Sequence, residues 1–141
     1  VGSAELLDQV WKLLANDATF LSLLRLTTST DNATKATKIV KEEETDGIVT
    51  TSTIPMCLLY IRPGKADVRT PTVYLGKVVI DCFAKDGNTA RKMYEQALAL
   101  MQNWEPPGFF VSRMAYDTSF KTGITGVKGH RVYFDVSYFV G

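Results

Sequence analysis

Apolar side chains recur at three- and four-residue intervals through the first stretch of the chain, at Leu6, Leu7, Val10, Leu13 and Leu14, the spacing of one helix face. Ser3 is placed to cap that helix, and Glu5 falls in its first turn, where the helix dipole favours an acid. Asn16 and Asp17 interrupt the pattern, and Phe20, Leu21, Leu23, Leu24 and Leu26 resume it as a short second helix. Residues 27–47 then offer only Ala33, Ala36, Ile39 and Val40 as apolar side chains among threonines and charges. So polar a segment cannot form core. The sequence therefore predicts an extended arm over residues 27–53, either disordered or ordered by a partner chain.

Beyond the arm the period shortens to that of strands. Residues 54–61 are mostly apolar and run into Arg62, Pro63 and Gly64, a turn signal. Residues 72–84 read as a long strand with Tyr74, Val78, Ile80 and Cys82 on one face and Lys77 and Asp81 on the other. Asp86, Gly87 and Asn88 supply cap chemistry for a helix reaching about Asn103, with Ala90, Met93, Tyr94, Ala97, Leu100 and Met101 on its apolar face. Pro106, Pro107 and Gly108 stop it. Residues 109–118 and 130–140 read as a hairpin, the second strand alternating Val132, Phe134, Val136, Tyr138 and Val140 inward with Arg131, Asp135 and Ser137 outward. No internal repeat or second domain is evident, so residues 1–141 form one domain with the arm as its extension. Strands flanking one crossing helix predict an α+β fold, a mainly antiparallel sheet of about four strands with helices packed on one face.

Composition narrows the function classes. With 141 residues, 45% hydrophobic, 22% charged and a net charge of +1, the chain is sized for one packed domain and lacks the basic excess of a non-specific nucleic-acid binder. No apolar run approaches the roughly 20 residues of a membrane span, and the opening residues lack the pattern of a secretory signal. Two cysteines, Cys57 and Cys82, and one histidine, His130, leave little room for metal or nucleophile chemistry.

The motifs that remain are weak ones. Gly123, Gly126 and Gly129 make the connection before His130 glycine-rich, but Lys128 follows Val127 and a strand follows His130, which is not the context of a phosphate-binding loop. A flexible hairpin tip is the expectation. His130 beside Cys57, Cys82, Asp81 or Asp135 has no spacing that marks a metal or nucleophile site, so a solvated histidine and two buried thiols are expected. Trp11 and Trp104 fit core or rim packing. The sequon at Asn32, Ala33 and Thr34 has no accompanying export signal. No catalytic residue, cofactor or metal is expected, and the chain reads as a non-enzyme. Lys35, Lys38 and Lys41 followed by Glu42, Glu43 and Glu44 form a mixed charge strip, either a solvated face or an intersubunit contact.

The order of these elements resembles a known family. The helix ending in Leu-Ala-Asn-Asp-Ala-Thr-Phe-Leu, the polar arm, the strand ending in Val-Ile-Asp-Cys-Phe-Ala, the helix opening at Asp-Gly-Asn and the final His-Arg-Val-Tyr-Phe-Asp-Val-Ser-Tyr look like the tail terminator, or tail completion, proteins of long-tailed bacteriophages. That resemblance covers residues 3–26 and 54–140. It implies a virion subunit, assembled in the bacterial host cytoplasm, that forms a hexameric ring at the head-proximal end of the tail tube and ends tube growth. It also implies contacts with the tail tube protein and with a head connector or head-completion protein, DNA passing through the ring, and no membrane. Other neck and tail parts, a head-tail joining adaptor or a tube subunit, would share ring formation and differ in docking partner. A small-molecule enzyme or binding module would need a concave site that no motif marks. The expected assembly surfaces are the arm, through Lys35, Lys38, Ile39, Val40, Lys41, Glu42, Glu43, Glu44, Ile48 and Val49, and the hairpin loop, through Gly123, Gly126 and Lys128.

Overall fold

A computed structural model describes residues 2–66 and 73–139; Val140 and the side chain of Tyr74 lie outside the described set. Helix α1 (Ser3–Ala15) buries Leu6, Val10 and Leu14 along one stripe. Its N-cap is Gly2, with no side-chain cap bond, so Ser3 is the first helical residue and not the cap. Helix α2 (Ala18–Leu23) is capped as its sequence requires, the Asp17 carboxylate accepting the Phe20 N–H at 2.8 Å. It ends in a left-handed residue, Arg25 at φ 63°, with the Leu26 N–H donating to Leu21 O at 2.8 Å and the Arg25 N–H to Ser22 O at 3.1 Å, the paired bonds of a Schellman stop.

The segment expected as an arm is folded onto the domain. It contains α3 (Asn32–Lys38) and a two-residue strand, β1 (Ile39–Val40). Its hydroxyls bond the backbone at the Thr27 and Thr50 N–H groups and at the Thr34, Ile48 and Thr50 carbonyls, which helps to hold so polar a stretch within one chain. The tetrapeptide Thr-Thr-Ser-Thr occurs at both residues 27–30 and 50–53 and makes the same turn each time. In the first, the Thr27 N–H donates to Thr30 Oγ1 at 3.1 Å; in the second, the Thr50 N–H donates to Thr53 Oγ1 at 2.8 Å. Helix α3 bridges the two turns, Lys35 Nζ donating to Thr28 O at 3.3 Å and Lys38 Nζ to Thr53 O at 2.7 Å. Trp11 Nε1 donates to Ile39 O at 2.9 Å and fastens β1 to α1.

The remaining strands are β2 (Met56–Ala66), β3 (Val73–Ala84), β4 (Arg113–Phe120) and β5 (Lys128–Phe139). They lie in the order β1-β2-β3-β5-β4, antiparallel except for the β1–β2 pair, so the described sheet has five strands. The extra strand is the short one within the supposed arm. The Arg62-Pro63-Gly64 signal is not a turn: β2 continues through it with a shift of register between Arg62 and Lys65. Proline is tolerated there because, among the described residues, β1 covers only Cys57 and Leu58 and the outer side of β2 has no ladder partner beyond them.

Alternation along the strands separates two cores. One face carries Cys57, Leu59, Val78, Ile80, Cys82, Val132, Phe134 and Val136 and is covered by α1, α2 and α4 (Gly87–Met101), the last through Ala90, Met93, Tyr94, Ala97 and Met101. The opposite face carries Met56, Leu58, Tyr60, Val79 and Phe83 and packs against Val49 and Val127 from the flanking loops. Asp86 caps α4 by accepting the Thr89 N–H at 2.7 Å, as the Asp-Gly-Asn signal implies.

Candidate functional site

Three features of the fold carry chemistry or offer surface. The first lies on the second face of the sheet, where Leu58, Asp81 and Arg131 are neighbours in register across β2, β3 and β5. Asp81 is only 1% exposed. Its carboxylate accepts Arg131 Nε at 2.6 Å, Arg131 Nη2 at 2.9 Å and the Tyr60 hydroxyl at 2.9 Å. The Arg131 guanidinium also lies 4.4 Å from the centre of the Phe120 ring. Burial, followed by the negative charge of Asp81, pushes the Tyr60 hydroxyl above the ordinary tyrosine range, and the Asp81 bond holds Arg131 firmly protonated. Alternation placed Arg131 outward and Asp81 on a polar face; the structure pairs them beneath the loops. Farther along this face the cover ends, leaving Lys77 and Asp135 paired at 2.6 Å and Tyr116 stacked on Tyr133 at 4.3 Å.

The second feature is His130. It is 4% exposed, not solvated, because its ring packs 4.6 Å from that of Tyr94 while Nε2 meets Asp117 Oδ2 at 2.7 Å. Burial, then a hydrogen bond to Asp117, raises the Tyr94 hydroxyl above its usual range. Asp117 is thus held between a helix tyrosine and a strand histidine, and the arrangement clamps α4 to the β4–β5 hairpin. Cys57 and Cys82 face each other across β2 and β3 as free thiols, and burial pushes both well above the ordinary thiol range, which makes them unreactive small apolar groups. Among the described residues no group of three or more His, Cys, Asp or Glu side chains is arranged to hold a metal ion. Among the same residues no helix is long and apolar enough to cross a membrane.

The third feature is a cleft of about 490 Å³ where the end of α2, residues 51–55, the start of α4 and the hairpin loop meet. Leu23, Ile54, Pro55 and Ala84 form its apolar lining, and Arg25 and Lys85 stand over it. The Asp86 carboxylate also lines it but is committed to the Thr89 N–H and hydroxyl.

The expected assembly residues divide into two groups. Lys35, Ile39 and Val49 are buried in this chain's own structure, the lysine at 4% exposure because its stem packs inward and its ammonium is taken by Thr28. Val40 and Ile48 are half-buried against the second core, and Lys38 is half-buried with its ammonium on Thr53. By contrast Lys41, Glu42, Glu43, Glu44, Gly123, Gly126 and Lys128 are exposed. Lys41 pairs with Asp8 at 2.5 Å and Glu43 with Arg62 at 2.6 Å. The hairpin loop is not a free tip: Val127 is buried in the second core, and Gly123 and Gly126 adopt φ 76° and 82°, which explains glycine at both positions. The missed features, the Asp81–Arg131–Tyr60 network and the cleft, join residues far apart in sequence, and no local spacing announces them.

No protein-family model and no curated protein matches the chain. Among solved structures, the chain is similar to one from a structure described as the virion of a native gene transfer agent particle, with 12% identity, a TM-score of 0.62, and coverage of 94% of this chain and 92% of that one. Identity this low shows a shared α+β fold.

Proposed function

We propose that this chain is a structural virion protein of a phage-like particle, the subunit of a ring that sits at the head-proximal end of the tail tube, ends its growth and joins it to the head. The observation that carries this reading is the likeness, over almost the full length of both chains, to a chain of a gene transfer agent virion. The tail-terminator resemblance of the sequence supplies the finer assignment. The surface of the domain is compatible with it. Strand β4 is an eight-residue edge whose side chains are exposed or half-buried, and among the described residues no strand pairs with the outer edge of β2 beyond Leu58. Open strand edges are templates for pairing with a neighbour, so a single copy offers two places where a second can add. The partners proposed are further copies of itself in a ring of six, the tail tube protein and a head connector or head-completion protein. DNA passes through the ring without sequence readout.

Sedimentation velocity across a concentration series, repeated in the presence of tail tubes, tests the reading. A discrete ring species appearing with concentration or on tubes supports it. A protein that stays monomeric in both conditions refutes it, and one that instead polymerises into tubes makes it a tube subunit.

A further inference from the structure

The cleft and the acidic run at residues 42–44 are complementary in charge and lie apart on one copy. Arg25 and Lys85 are exposed and form no salt bridge among the described residues. Lys38 lies near Arg25, and its ammonium is held below the ordinary lysine range by burial and then by the charge of Arg25, so among the described residues this corner sets Arg25, Lys38 and Lys85 against a single lining carboxylate. The one acid lining the cleft, Asp86, is turned to the first turn of α4. An apolar floor of Leu23, Ile54, Pro55 and Ala84 keeps the local dielectric low and strengthens whatever anion enters. At the other site Glu42 and Glu44 are exposed and form no salt bridge among the described residues, while Glu43 is fixed to Arg62.

These two sites lie apart along one strand, the first at its start and the second beside its middle. Ile54 and Pro55 lead into β2 at Met56, whereas Glu43 is anchored at Arg62; at a rise of about 3.3 Å per residue the two are about 20 Å apart. A contact between two different patches of a subunit is heterologous, and repeated heterologous contacts generate a ring when the rotation closes. We propose that Glu42 and Glu44 of one copy dock against Arg25 and Lys85 at the cleft of the next copy, head to tail around the ring. This rests on the ring reading above and names the contact that builds it.

Two charge-reversal variants test the contact: one carries Glu42→Lys and Glu44→Lys, the other Arg25→Glu and Lys85→Glu. All four positions are exposed, so both variants keep the parent's circular dichroism spectrum and melting temperature. Each variant alone has like charges at both sites, and its half-assembly concentration rises about tenfold or more. Mixed in equal amounts, they complement one another at every contact, and rings return with the two chains alternating. A chain carrying all four substitutions assembles by itself. If both variants form rings as readily as the parent, or if the mixture fails to restore what each has lost, the docking is wrong while the ring stands. If the parent forms no ring at any concentration or on tubes, the ring reading fails and takes this contact with it.

Discussion

Replacing Arg131 by methionine isolates the buried carboxylate of Asp81. In the folded chain that carboxylate is 1% exposed and has two bonds from Arg131 and one from Tyr60. Arg131→Met keeps the apolar stem over Phe120 and removes both charged donors, leaving an anion beneath the loops with one neutral partner. Breaking a buried ion pair from one side typically costs about 3 to 5 kcal/mol, because the remaining charge stays desolvated. The Arg131 side chain keeps 24% of its surface in water, so water can enter as it leaves, and the lower figure of about 3 kcal/mol applies. For a domain of this size that is a fall in Tm of about 10 °C. Thermal unfolding followed by circular dichroism at pH 7 reads it directly. Adding Asp81→Asn to Arg131→Met removes the stranded charge but keeps an acceptor for Tyr60, so the double variant recovers at least half of the loss. A fall of under about 3 °C for Arg131→Met, or no recovery in the double variant, would mean that loss of Arg131 does not strand a buried charge on Asp81.

Phe134 is fully buried under the helices, so Phe134→Ala should cost about 3 to 5 kcal/mol and lower the melting temperature before it affects any assembly; an unchanged Tm would mean that the strand's faces are reversed. At Gly76 an added Cβ would lie 2.8 Å from the backbone oxygen of Val136, so Gly76→Ala should destabilise even though it adds one methyl group, and equal urea midpoints for variant and parent would contradict the close approach of β3 and β5. Tyr60 has an ordinary pKa of 10.0 when unfolded and a higher one when folded, so the stability it contributes is complete below pH 10 and is lost as the pH rises above that value. Tyr60→Phe should cost about 1 kcal/mol at pH 7 and flatten the alkaline decline; a decline as steep as the parent's would place its origin elsewhere.

The regular elements were legible where periodicity and cap chemistry agreed. Asp17 and Asp86 announce their helices, and the alternation from Val132 to Tyr138 assigns the faces of β5 correctly. Pro63 and Gly64 misled because a turn signal and an edge-strand bulge use the same residues, and only the shortness of β1 decides between them. The arm misled for a different reason. Counting apolar side chains over residues 27–53 measures what a segment can bury, not whether its hydroxyls can satisfy its own backbone, and the repeated Thr-Thr-Ser-Thr turns do the latter. Lys35 shows the same limit, since its charge suggests solvent while its position on α3 directs it to Thr28 O. His130 read as solvated because its partners, Tyr94 and Asp117, come from a helix and a strand that only tertiary packing brings together.

In the proposed role, copies of this chain close into a ring at one end of a tail tube. Electron microscopy of the purified protein, imaged alone and after mixing with tail tubes, tests it most directly. The expected images show rings of six subunits with a central channel, bound to one end of each tube and blocking further growth there. Tubes that keep bare ends and continue to lengthen in the presence of excess protein would contradict it.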